Sequence, residues 1–183
     1  PYTESTIIVA HLGGGISLSL HNKGNVDDVV CDDEGPFSPE RCGGQQSIPF
    51  IKLLETKGSL KEKVRTVRGG TGLAAYFGTH NAKVLEERAN AGETEVATVF
   101  DAMGYQISKA IGGLATVACG KVDAIALTGG LARSKRLTEQ VARRIGFIAP
   151  MFVVPGENEM ESLALGGGRI LRGEEQAREF EYK

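Results

Sequence analysis

The chain has 183 residues with 21 Lys+Arg and 23 Asp+Glu, a formal net charge of −2. Hydrophobic residues make up 41% and charged residues 24%, ordinary globular values that exclude wholesale disorder. A pI near 6.0 leaves no basic field for a nucleic-acid backbone or an anionic membrane surface. No apolar run reaches the roughly 18 residues needed to span a bilayer.

Thr6–Ala10 reads as a short strand buried on both faces, and Ile16–Leu20 as an alternating strand. The turn Asn22-Lys23-Gly24-Asn25 and a strand over Val26–Val30 complete an antiparallel meander. Residues 32–46 are rich in Gly, Pro and Asp, an irregular loop of the length that usually carries function. Short helices are expected over 47–57, 59–67, 72–77 and 80–91. From Glu95 a long helix shows Val96, Val99, Phe100, Met103, Ile107, Ile111, Leu114 and Ala118 at spacings of three and four. Gly104, Gly112 and Gly113 within it predict close approach by another element. Val122–Leu127 then reads as a buried strand followed by the turn Thr128-Gly129-Gly130-Leu131. Ser134 caps a helix with Leu137, Val141 and Ile145 on one face, ended by Gly146. Met151–Val154 is a strand, and the last helix sets Met160, Leu163, Ala164, Ile170 and Leu171 to one side. The expected fold is a single α/β domain with a five-stranded mixed sheet flanked by helices.

Glycine is enriched, at 25 residues of 183, about twice the usual share of roughly 7%. Cys31, Cys42 and Cys119 form no Cys-x-x-Cys and suit small core residues with free thiols in a reducing compartment. His11, His21 and His80 are too far apart for zinc-site spacing. The opening Pro1-Tyr2-Thr3-Glu4 has no charged-then-apolar leader pattern, so a cytoplasmic protein is expected.

His11-Leu12-Gly13-Gly14-Gly15 follows a strand directly, and glycines let successive N–H groups turn toward an anion. No Gly-Lys-Ser follows, so this is not a P-loop, and a tight hairpin turn explains the glycines about as well. Thr128-Gly129-Gly130 is a second strand-then-glycine turn, and ligands gather at such strand ends. Pro155-Gly156-Glu157-Asn158-Glu159 places carboxylates in a first helical turn, where dipole complementation and metal binding are both open. Arg41 in the long loop has the fork that clamps phosphate or carboxylate, although a lone arginine is more often a solvated charge.

Together these segments resemble the butyrate kinases of the acetate kinase family. The resemblance rests on Ile7–Gly15, Glu34–Arg41, Ala124–Gly130, Gly146–Pro150 and Pro155–Glu161, in that order. It implies a ribonuclease H-like, actin-like ATPase lobe, with residues 1–183 forming one C-terminal nucleotide-binding lobe. It also implies that an N-terminal lobe is missing, and that ATP or ADP with Mg²⁺ and a short-chain carboxylate or its acyl phosphate are the ligands. The implied pairing is a homodimer. By the same resemblance His11, Gly13, Gly14 and Gly15 hold the ATP phosphates, and Arg41 and His11 are catalytic. Gly129, Gly130 and Leu131 border the nucleotide, and Glu159 helps hold Mg²⁺. At the adenosine contact the family's Asn-Asp-Ala-Arg is replaced by His80-Asn81-Ala82-Lys83, leaving Asn81 and Lys83 in place of a stacking guanidinium. Gly166-Gly167-Gly168 stands where the family carries bulkier residues. It predicts a loosened helix or unusually close packing.

Overall fold

The computed structural model describes residues 1–156 and 159–177. β1 (Thr6–Leu12), β2 (Ile16–Asn22) and β3 (Asn25–Val30) form the expected antiparallel meander. β4 (Ala124–Gly129) joins β1 in parallel and β5 (Met151–Pro155) joins β4, giving the mixed order β3-β2-β1-β4-β5. The strand after β3's long sequel therefore enters beside the first one, not beside the third.

Neither β1 nor β4 is buried on both faces. Ile8, Ala10, Leu12, Ile125 and Leu127 are buried, whereas Ile7, Val9 and Ala126 are only partly covered. Alternate side chains point to opposite faces, and the core gathers on one of them. That face receives α5 (Thr94–Val117), whose Val96, Phe100, Met103, Ile107, Ile111 and Leu114 are all buried. The stripe read from the sequence is thus used inside the chain. Of its glycines, Gly104 admits Gln140 of the neighbouring helix, whose Oε1 would lie 2.0 Å from an added Cβ, while Gly112 and Gly113 meet nothing within 4 Å.

α1 (Ser47–Glu55), α2 (Leu60–Val67), α3 (Leu73–Phe77) and α4 (Ala82–Asn90) lie within two residues of their expected starts and ends. α2 is fixed by a capping box in which Ser59 and Glu62 satisfy each other's backbone N–H. α6 (Lys135–Ile145) begins at Ser134, whose hydroxyl accepts from the Leu137 N–H at 3.1 Å, and buries Leu137, Val141 and Ile145. α7 (Glu159–Leu171) runs unbroken through Gly166–Gly168. Its expected apolar side is not applied to the core: Met160, Leu163 and Leu171 are at least 70% exposed. Periodicity marks an apolar face but does not say what meets it. The cysteines also depart from expectation, since Cys31 and Cys119 are exposed and Cys42 half-buried. Cys119 takes a left-handed conformation just past α5, a chain-reversal position and not a core one. Among the described residues no helix is long and apolar enough to cross a membrane.

Candidate active site

Parallel pairing of β1 with β4 sets His11 beside Thr128, and their side chains hydrogen-bond at 3.2 Å through Nδ1 and Oγ1. Both glycine loops consequently leave the sheet at the same end, beyond the carboxyl termini of β1 and β4. There a cleft of about 800 Å³ opens, lined by Gly13, Gly14, Asn81, Lys83, Gly130 and Leu131 among others. That volume suits a nucleotide-sized ligand. Six candidates from distant parts of the sequence therefore meet in one cavity. His11, Gly15, Arg41 and Gly129 do not line it.

The loop after β1 differs from a simple row of anion-facing amides. The Gly13 N–H donates to the Gly15 carbonyl at 3.0 Å, so it is spent within the turn. The Gly14 carbonyl accepts from the Ser38 hydroxyl at 2.6 Å and from the Glu40 N–H at 3.0 Å. Missing side chains at Gly14 and Gly15 make room for carboxylates: an added Cβ would lie 3.1 Å from Glu40 Oε2 and 2.8 Å from Asp32 Oδ2, respectively.

Gly129 belongs to β4 itself. Its φ of +85° and an added Cβ only 2.5 Å from the Leu12 carbonyl oxygen require glycine. It also exchanges two backbone hydrogen bonds of 3.1 Å with Gly156. Its geometry serves closure of the sheet, and Gly130 and Leu131 carry on into the cleft. Asn81 caps α4, its Oδ1 accepting from the Val84 N–H at 3.3 Å, which leaves its amide NH₂ to serve a ligand hydroxyl.

Arg41 directly follows Glu40, which lines the cleft. Its Nε donates to Asp32 Oδ2 at 2.9 Å and its Nη1 to the Glu40 carbonyl at 3.3 Å. Glu159 begins α7 by its backbone, but its side chain, with Glu157 and Asn158, lies outside the described residues. Among the described residues no group of three or more His, Cys, Asp or Glu is placed to hold a metal ion.

No family model matches the chain. A probable butyrate kinase of Coprothermobacter proteolyticus is 45% identical over 186 residues, covering 98% of this chain and 51% of the relative. Butyrate kinase 2 of Clostridium acetobutylicum is 42% identical over 182 residues, again covering 98% of this chain and 51% of the relative. The chain is a homologue of butyrate kinases. It spans about half the length of the curated relatives it matches. The acetate kinase of Porphyromonas gingivalis superposes with a TM-score of 0.83 at 21% identity, over 93% of this chain and 50% of that one. This butyrate kinase homologue therefore shares the fold of that acetate kinase.

Several residues that hold the homologue's site together escape a reading by motif. Ser38 is fully buried, and its hydroxyl accepts from the Arg41 N–H at 3.0 Å while donating to Gly14. Glu40 reaches His80 Nδ1 at 3.6 Å across the mouth of the cleft. Asp32 bridges Arg41 and Arg68. Only adjacency in the loop of residues 32–46 could have signalled Ser38 and Glu40, and nothing in the sequence links Asp32 to Arg68.

Proposed function

We propose that this chain is the nucleotide-binding half of a carboxylate kinase that transfers a phosphoryl group reversibly between ATP and a short-chain acid such as butyrate, giving an acyl phosphate and ADP. The observation that carries this reading is similarity to butyrate kinases along 98% of the chain. The cleft at the ends of β1 and β4 supports it. Phosphoryl transfer needs positioning and charge compensation more than covalent help from the protein. Gly13, Gly14, Gly130 and Leu131 would form the cleft floor under the nucleotide, with Asn81 and Lys83 at its ribose end. Arg41 would face the transferring group, with His11 behind the glycine loop. Mg²⁺ would enter with the nucleotide and offset phosphate charge, and Glu159 is the proposed protein contact.

The partner lobe, the homodimer and a cytoplasmic setting belong to the same proposal. The exposed apolar side chains of α7, with Phe152 and Val154 of β5, support a second lobe against this end of the sheet. Pairing of two copies is not served by α5, whose stripe is internal, and draws support from exposed Ile48, Ile51 and Leu54 on α1. In-line alignment and exclusion of water both need a second wall, so the chain by itself should be inactive. The half-length match also favours a second reading, a nucleotide-binding or dimerisation module without turnover.

The test mixes purified chain with ATP, Mg²⁺, butyrate and hydroxylamine, which traps acyl phosphate as hydroxamate. Hydroxamate is expected only after the complementary half of a butyrate kinase is supplied. Rapid hydroxamate formation by the chain alone would overturn the placement of the site. ATP binding with no turnover in either arm would select the second reading.

A further inference from the structure

Arg41 has long, rotamer-rich geometry, so a role at a transferring phosphoryl group requires that its guanidinium be held before the ligand arrives. Two contacts do so. Asp32 Oδ2 accepts from Nε at 2.9 Å, and the Glu40 carbonyl accepts from Nη1 at 3.3 Å. The pair is sheltered, with the Arg41 and Asp32 side chains only 20% and 24% exposed. Among the described residues Nη2 makes no hydrogen bond, so one edge of the fork stays available for an anion.

Asp32 is itself fixed from two further sides. Arg68 Nη2 donates to both of its oxygens, at 3.3 and 3.2 Å. Gly15 abuts it so closely that a Cβ there would lie 2.8 Å from Oδ2 and 3.1 Å from the Asp32 Cβ. Asp32 thus lies between two guanidiniums, and the Glu40 carboxylate stands 3.8 Å from Arg41 Nη1 on the other side. Backbone bonds pin the same segment: Cys42 N–H to the Val67 carbonyl at 3.2 Å, and Gly69 N–H to the Glu40 carbonyl at 2.8 Å.

We infer that Asp32 is the positioning residue of the site: it orients the Arg41 guanidinium toward the transferring phosphoryl group, and Gly15 is glycine so that this carboxylate can stand against the phosphate loop. This rests on the assignment of Arg41 made above.

The experiment uses this chain supplied with the complementary half of a butyrate kinase, and reads kcat and KM for ATP in Asp32→Asn, Arg41→Ala and the double variant. Asp32→Asn is expected to lower kcat by roughly 10- to 100-fold with KM for ATP changed less than about threefold, and the double variant to fall no further than Arg41→Ala alone. Additive losses, or normal kcat in Asp32→Asn beside a crippled Arg41→Ala, would overturn the inference and leave the functional reading standing. Normal turnover in Arg41→Ala would instead remove the site assignment, and this inference with it. A second measurement needs no turnover. In the chain alone, the Arg41 Nε–H NMR signal, assigned by its loss in Arg41→Ala, should move and exchange faster with water in Asp32→Asn. Gly15→Ala, which crowds the same carboxylate, should move it too, and covers the case in which Asp32→Asn fails to fold. An unmoved signal in the folded variants overturns the inference.

Discussion

The Ser38 hydroxyl donates to the Gly14 carbonyl across 2.6 Å, tying the loop that follows β1 to the segment that carries Arg41. The same oxygen accepts from the Arg41 N–H at 3.0 Å, and the Ser38 N–H donates to the Arg41 carbonyl at 3.0 Å. Ser38 is fully buried, and removing its hydroxyl takes one hydrogen bond each from the Gly14 carbonyl and the Arg41 N–H. Ser38→Ala is therefore expected to destabilise the chain by about 1–3 kcal/mol, read as a lower urea midpoint at unchanged slope. An unchanged midpoint would show that the two loops are held by other contacts.

Arg41→Ala and His11→Ala, in this chain supplied with its complementary half, are each expected to lower kcat by roughly 10²-fold or more, the loss typical of one transition-state charge contact. Circular dichroism of each variant checks that the fold is retained. Near-normal turnover in either variant would remove that residue from the proposed machinery.

Gly129→Ala is expected to cost at least about 2 kcal/mol, because it combines a backbone region almost closed to side chains with a clash against the Leu12 carbonyl. Thermal melts compare it with Gly130→Ala. Nothing lies within 4 Å of a Cβ at Gly130, so that variant should melt close to the parent. Equal melting of the two would show that β4 relaxes away from β1.

The contrast between these two glycines shows what a sequence can and cannot disclose. The meander, the long helix and the Ser134 cap are local: they follow from alternation, from three-and-four spacing and from one hydroxyl before an apolar face. The six candidates lining the cleft were legible as strand-then-glycine turns and a resemblance. Which glycine faces a ligand and which faces a carbonyl depends on the pairing of β1 with β4, a relation between distant segments. The roles of Asp32, Arg68 and Glu40 are illegible in the sequence for the same reason. An acidic residue in a loop carries no mark of the guanidinium it will meet. The exposed side of α7 is a different case: its apolar pattern is legible in the sequence, and what covers it is not.

Arg136 links three helices: its Nε and Nη2 donate to the two Asp101 oxygens at 2.9 and 2.8 Å, and its backbone N–H donates to Glu86 at 2.9 Å. The hydrogen-bonded Asp101 carboxylate holds the Arg136 guanidinium above its ordinary pKa. Both side chains are partly exposed, which screens the attraction. Arg136→Met is expected to cost about 1 kcal/mol, with a double-mutant cycle against Asp101→Asn assigning most of it to the pair. A coupling energy near zero would reassign Arg136 to packing alone.

The α2 capping box should respond to acid. Backbone and side-chain hydrogen bonds from Ser59 lower the Glu62 pKa below its ordinary value of 4.5. A depressed carboxylate contributes stability above its unfolded pKa and loses it as pH falls through the lower, folded value. Helical NMR shifts in residues 60–67 are therefore expected to persist at pH 6 and to fade below the ordinary glutamate range, whereas Glu62→Gln should show weakened shifts already at pH 6. Fading at the same pH in both proteins would assign the transition to another group.

Joining β1 to β4 has a consequence for biosynthesis. The His11–Thr128 contact spans 117 residues of chain, so β1 leaves the ribosome long before its parallel neighbour exists. Until then the β1 edge of the nascent meander is bare as well as the β3 edge, with no charged residue between Thr6 and Ala10. Unpaired edges of that kind recruit other strands, and parallel pairs across long loops close slowly. Yield of native protein should therefore depend on how quickly translation passes residue 129, and slower growth at lower temperature should favour β4 over a neighbouring nascent chain.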